Sequence, residues 1–210
     1  MKQIKKTESK KENLTKNLKV FSGNFKGLKL YSYLDSTTTR PSKAILKESF
    51  FNTIRDEIVD SVFIEGFSGS GSIGIEAISL GARHIEFIEL DSSAISVLKK
   101  NLALIEKFNP SFNITQNDSF KILPNIIENL THRAIIYLDP PFLIRENYAD
   151  IYQRCVSLIE NINNNNAKIV AIEHISSYHF PDILGKFKKL KTKAFGKSAL
   201  TYFIQGEENG

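Results

Sequence analysis

The chain carries one cysteine, Cys155, in 210 residues. That excludes an internal disulfide and a multi-cysteine metal site, and it fits a reducing cytosol. Its four histidines (His84, His132, His174 and His179) lack a ligand spacing such as HxxxH, so no metal is assigned. No apolar run approaches the roughly 18 residues of a membrane helix, and Met1 to Leu18 is too polar for a secretory signal. Net charge is also missing from most of the chain. Residues 1–19 hold seven lysines and two acids, so the whole formal excess of +5 sits there. A basic arm suits a polyanion such as nucleic acid, and a solubilising tail is the alternative. The arm has no apolar periodicity and is expected to stay flexible.

With 41% hydrophobic and 24% charged residues, the remaining sequence reads as a globular protein. "VFSGNFKGLKLYSYL" (20–34) predicts a short β-hairpin or two extended pieces, and Pro41 opens a helix to about Ile58 whose face is expected to carry Ile45, Phe50, Ile54 and Ile58. From Val62 the pattern is strand, turn, helix, repeated. "VFIEGF", "HIEFIEL", "NITQN", "AIIYL" and "KIVAIE" are the strands, and helices start near Ile73, Ser92, Phe120 and Tyr148. Phe187–Lys193 and Leu200–Gln205 read as a closing antiparallel pair. Such alternation predicts an α/β fold, a mostly parallel sheet with helices on both faces and ligands at the carboxyl ends of the strands. The boundaries this suggests are a tail at 1–19, an amino-terminal extension at 20–60 and a main domain at 61–210.

Three segments carry chemistry. The first, Glu65-Gly66-Phe67-Ser68-Gly69-Ser70-Gly71-Ser72-Ile73-Gly74, sets GxGxxG between a strand and a helix. About 20 residues on, Glu89-Leu90-Asp91 ends the next strand, where a carboxylate can accept from ribose hydroxyls. Together they predict a site for an adenosine-containing cofactor. A dinucleotide needs a free helix N-terminus for its pyrophosphate. S-adenosylmethionine, with a sulfonium and an ammonium, tolerates an acid such as Glu65 near the loop. Alternatively, Glu65 bonds loop amides.

The second segment is Asp139-Pro140-Pro141-Phe142. Two prolines have no N–H, so a carboxylate and a freed carbonyl can accept both hydrogens of an amino group while Phe142 stacks on its ring. A rigid proline turn is the alternative. The third is Asn117-Asp118-Ser119, where Asp118 either accepts from an adenine amino group or caps a helix.

EGFSGSGSIGIEA (65–77), FIELD (87–91) and DPPF (139–142) resemble class I S-adenosylmethionine-dependent methyltransferases acting on amino groups. SGNFKGLKL (22–30) and TRPSKAILKESFFN (39–52) are similar to the amino-terminal region of the RsmD-type 16S ribosomal RNA guanine-N2 methyltransferases, and the likeness runs from about 20 to 205. The resemblance implies a Rossmann-like, seven-stranded sheet with a reversed last strand. It implies that Glu65, Phe67, Ser68, Gly69, Ser70, Gly71 and Gly74 cradle the cofactor's methionine end. It further implies Glu89 at the ribose, Asp118 at the adenine and Asp139 to Phe142 at the guanine, and Asp91 and Asn117 are expected among the cofactor-binding residues. Arg40, Lys43 and Lys47 would meet phosphates of small-subunit ribosomal RNA, free or in an assembled particle. A monomer is expected. Lys43-Ala44 departs from the more familiar Asp-Arg, so local RNA contacts differ there.

Three rivals share parts of this pattern. A DNA or protein amino-group methyltransferase shares the clamp but not segment 39–52. A non-catalytic RNA-binding protein would not need Asp139. A nicotinamide-dependent dehydrogenase has no use for DPPF. The run Lys186, Lys188, Lys189, Lys191, Lys193 and Lys197, with no acid between Asp182 and Glu207, either borders RNA or is a solvated strand face.

Overall fold

The computed structural model describes residues 14–32, 41–141 and 148–206. The elements in chain order begin with β1 (Leu18–Lys19), β2 (Lys29–Leu30), α1 (Pro41–Thr53) and α2 (Arg55–Ile58). Next come β3 (Val62–Glu65), α3 (Ser72–Ser79), β4 (His84–Glu89), α4 (Ser92–Ala103), β5 (Phe112–Gln116) and α5 (Ser119–Glu128). The chain closes with β6 (Ala134–Leu138), α6 (Tyr148–Glu160), β7 (Ala167–Ile175), β8 (Ile183–Leu184), β9 (Phe187–Phe195) and β10 (Ser198–Gln205).

Strands β3 to β10 form one sheet in the order β5-β4-β3-β6-β7-β10-β9-β8. The first five of these positions are parallel, and β10 runs antiparallel to both β7 and β9. The reversed last strand is as expected. The sheet has eight strands instead of seven, because Ile183–Leu184 turns back at Gly185 and pairs with β9 at the edge. A two-residue strand is too short to leave an alternating pattern in sequence.

The chain steps outward from β3 to β4 and β5, then returns across β3 to β6 and β7. The topological switch therefore lies between β3 and β6, whose ends are in register at Glu65 and Tyr137. The carboxyl edge at this switch point is the general ligand position of such sheets.

The sheet is buried on both faces. One core joins α1, α3, α4 and the amino-terminal segment through Leu46, Phe50, Phe63, Ile75, Leu98 and Tyr202. The other joins α5 and α6 through Ile64, Leu123, Ile136, Tyr152 and Phe203. Strand β6 is buried at every residue, which matches its unbroken apolar run.

The amino-terminal segment is tied into this core. Glu76 of α3 accepts from Phe21 N at 2.9 Å and Ser22 N at 2.7 Å, and Asn101 of α4 both accepts from Tyr31 N and donates to Tyr31 O. Val20, Phe25 and Leu30 belong to the same hydrophobic cluster as β3 and α3. Leu18–Lys19, which fall within the tail expected at 1–19, pair with Lys29–Leu30. Residues 1–13 lie outside the described part.

Helix α1 corrects one expected face. Ile45 is 57% exposed, whereas Leu46, Phe50, Ile54 and Ile58 are buried. Steps of four keep those residues on one side of a helix, and a step of five from Ile45 to Phe50 does not. Among the described residues no helix is long and apolar enough to cross a membrane.

Candidate active site

Five strand ends meet at the carboxyl edge. Glu65 ends β3, Glu89 ends β4, Asn117-Asp118 follow β5, Asp139 follows β6, and Glu173 lies near the end of β7. Parallel strands fix this convergence: Phe87 and Tyr137 flank Glu65, and Leu138 faces Ile172.

Glu65 is buried, and its Oε2 accepts from Gly74 N at 3.0 Å. The carboxylate therefore caps α3 from within. Burial pushes its pKa up to about 8; the Gly74 amide and Lys47 pull it down, and Asp139 adds repulsion. A helix N-terminus is a natural anion site, and here the chain's own acid holds the amide that a pyrophosphate would take. The loop thus disfavours a dinucleotide and suits a cationic ligand. The loop-amide contact expected of Glu65 is present, and the carboxyl keeps further lone pairs.

The glycines divide into two kinds. Gly69 has φ +50° and nothing within 4 Å of a built Cβ, so its backbone faces open space and a ligand can approach it closely. Gly71 and Gly74 are packing positions instead. A Cβ would meet Leu98 Cδ1 at 2.2 Å or Phe87 Cε1 at 2.3 Å, respectively. Ser68 is buried and bonds Glu65 O and Ile88 O, bracing the loop between β3 and β4. Ser70 O accepts from Asn101.

Glu89 accepts from Gly69 N at 2.8 Å through Oε2, and from Leu90 N and Asp91 N through Oε1. Three amides fix its carboxylate beside the open glycine, with lone pairs left for ribose hydroxyls. Asp91 instead caps α4, accepting from Ser93 N and Ala94 N. Asp118 caps α5 through Phe120 N and pairs with Arg154 at 3.1 Å, while Asn117 Oδ1 accepts from Asp118 N. Its pKa lies below the usual carboxylate range: burial opposes this, but the Phe120 amide and Arg154 outweigh it. Phe67 meets Phe120 edge-on at 5.5 Å, and the Arg154 guanidinium lies 4.1 Å from the Phe120 ring. Phe120 thus joins Asp118 at the start of α5 to Phe67 of the glycine loop.

Asp139 stands one residue beyond β6, with its side chain 32% exposed, followed by buried Pro140 and exposed Pro141. Lys43 of α1 bridges it, Nζ to Oδ2 at 3.2 Å, to the buried Glu173, whose Oε2 also accepts from Tyr137 Oη at 3.0 Å. Burial pushes the Glu173 pKa up to about 7; repulsion from Asp139 adds to this, and Lys43 and Tyr137 oppose it.

Residues 18–204 match the family described as Conserved hypothetical protein 95. A Haemophilus influenzae protein named Ribosomal RNA small subunit methyltransferase D is 31% identical over 147 residues, 70% of this chain and 72% of that protein. The chain belongs to this methyltransferase D family. The solved Escherichia coli yhhF structure superposes with a TM-score of 0.71 at 22% identity, covering 91% of this chain and 99% of that one. A magnesium protoporphyrin IX methyltransferase from Synechocystis PCC 6803, solved with bound SAM, shares the fold at a TM-score of 0.57 and 10% identity, covering 83% and 88%.

For a family of RNA methyltransferases, the expected phosphate contacts need correction. Lys47 is buried, pairs with Glu76 at 2.8 Å and donates to Ser72 O, so its ammonium is enclosed by protein and cannot reach a phosphate. Burial lowers its pKa, with Glu76 opposing. Lys43 turns into the site, onto Asp139 and Glu173. Arg40 and Phe142 lie outside the described residues. Sequence reasoning missed Glu173 and Tyr137. The available signal was an acid inside the apolar strand "KIVAIE", since buried acids are almost always paired.

Proposed function

We propose that this protein is an S-adenosylmethionine-dependent methyltransferase that modifies the exocyclic N2 of a guanine in 16S ribosomal RNA of the small subunit. The observation that carries the reading is the meeting of two unlike sites at one switch point. An acid-capped glycine loop ends β3, and an Asp-Pro-Pro corner ends β6.

When bound, the cofactor supplies a methyl carbon made electrophilic by its sulfonium. Gly69 offers open backbone for it, Glu65 answers its ammonium, and Glu89 takes the ribose. Phe67 and Phe120, packed edge to face, would offer apolar surface to the adenine, and Asp118 would accept from its amino group. A guanine amine is a poor nucleophile because its lone pair is conjugated with the ring. Asp139 and the carbonyl of Pro140 accept its two hydrogens, which favours the pyramidal nitrogen needed for attack. Asp139 Oδ then takes the surplus proton. Pro140 and Pro141 bring no competing N–H to this corner. The base must leave its stack to reach Asp139, so a loop or an opened helix of the RNA is the substrate form.

Membership in the methyltransferase D family supports RNA over DNA or protein as the substrate. Of the β9 lysines, Lys193 stands level with Glu173 through Leu200 of β10 and suits a phosphate contact, which positions RNA without reading its sequence. Mass spectrometry of 16S ribosomal RNA nucleosides from a strain lacking the gene tests the assignment. Loss of one N2-methylguanosine supports it, and an unchanged nucleoside profile contradicts it.

A further inference from the structure

Lys43 belongs to α1, far in sequence from the catalytic corner, yet its ammonium meets two carboxylates there. One is Asp139, one residue beyond β6; the other is Glu173, whose side chain is 2% exposed. Glu173 is fixed in turn by Tyr137 Oη at 3.0 Å, and Tyr137 is itself in register with Glu65 across β3 and β6. The anchoring is rigid at its base, because both Tyr137 and Glu173 are buried in the sheet. It is open at its tip, because the side chains of Lys43 and Asp139 are 47% and 32% exposed.

Resting on the methyltransferase reading above, we infer that Lys43 is a positioning residue for the reaction, held by Glu173 and Tyr137 so that it sets the orientation of the Asp139 carboxylate toward the incoming amine. Asp139 is a short acid with two rotatable side-chain bonds, and among the described residues Lys43 is the side chain that holds it. The ammonium pins one of its oxygens and leaves the other for the substrate. The same contact makes the amino-terminal segment part of the catalytic corner, since α1 carries the pin.

A phosphate contact and a positioning residue differ in what their loss changes. Losing a phosphate contact raises KM for RNA and flattens the salt dependence of binding. Losing a positioning residue lowers kcat and leaves both alone. The test is Lys43→Met, with Lys43→Arg and Glu173→Gln as companions, assayed on 16S ribosomal RNA with labelled cofactor. Lys43→Met is expected to cut kcat roughly ten- to hundred-fold, with RNA KM, salt slope and cofactor Kd within about twofold of the parent. Lys43→Arg recovers most of the rate. Adding Glu173→Gln to Lys43→Met costs no more, as residues acting through one another are non-additive. Crystal structures of the parent and Lys43→Met proteins give a readout independent of turnover. The Asp139 carboxylate is expected to leave its position while Pro140 stays. An intact kcat with raised RNA KM, additive losses, or an unmoved Asp139 overturns the inference. A parent protein that methylates no ribosomal RNA overturns the reading beneath it, and the crystallographic comparison still decides whether Lys43 orients Asp139.

Discussion

Glu65 Oε2 accepts the Gly74 amide at 3.0 Å, so the acid that ends β3 caps the helix that follows it. The chain fills its own anion site with a buried carboxyl. Burial holds that carboxyl at about 8, against an ordinary 4.5. A cationic ligand favours its charged form.

Cofactor binding is therefore expected to release a proton from Glu65 below pH 8, and affinity is expected to rise as pH climbs from 6 to 8. Calorimetry of S-adenosylmethionine binding in buffers of different ionisation enthalpy measures both. Glu65→Gln should weaken binding about tenfold or more and abolish the proton release. Proton release unchanged in that variant would assign it to another group.

Stability without cofactor should show the opposite slope. Glu65 and Glu173 titrate near 8 and 7 in the fold but near 4.5 when unfolded. Between those limits the native state binds more protons, so unfolding free energy falls as pH rises from about 5 to 8. Thermal melts across that range should show a declining Tm, and Glu65→Gln should flatten the decline.

The glycine loop offers a contrast between two single changes. Gly71→Ala drives a methyl into Leu98 at a φ of +73° and should cost about 2–5 kcal/mol of stability in urea titrations. Gly69→Ala meets no neighbour and should cost about 1 kcal/mol, while weakening cofactor binding much more than Gly71→Ala does at temperatures where both are folded.

Glu76→Gln tests the buried pair that joins α1 to α3. It leaves the Lys47 charge in an enclosed site and is expected to destabilise the fold by about 3–5 kcal/mol. The salt dependence of RNA binding should not change in Lys47→Met, because that ammonium does not reach solvent. A shallower salt slope would restore Lys47 as a phosphate contact.

Much of this architecture is legible in the residues. "VFIEGF" and "AIIYL" are apolar runs bounded by turn chemistry, and the glycine and proline motifs sit where strands end, so both halves of the cleft follow from local pattern. What fails is pairing between distant elements. Lys47 looks like any helical lysine until Glu76, buried in an apolar helix, is seen to face it. Glu173 hides in an apolar strand, and its role depends on Lys43, 130 residues away. Glycines also look alike in sequence, and only the neighbours of Gly71 and Gly74 reveal that they serve packing. Asp91 and Asp118 carry cap chemistry that competes with ligand chemistry at the same position, and in the structure both carboxylates cap helices, Asp118 pairing with Arg154 as well.

The most direct test pairs two measurements on Asp139→Ala: methyl transfer to 16S ribosomal RNA with labelled cofactor and nucleoside analysis, and cofactor affinity by calorimetry. The account predicts label in N2-methylguanosine with the parent protein, none with the variant, and Kd values within a few-fold of each other. Near-normal transfer by Asp139→Ala, or label in a different nucleoside with the parent, would contradict it.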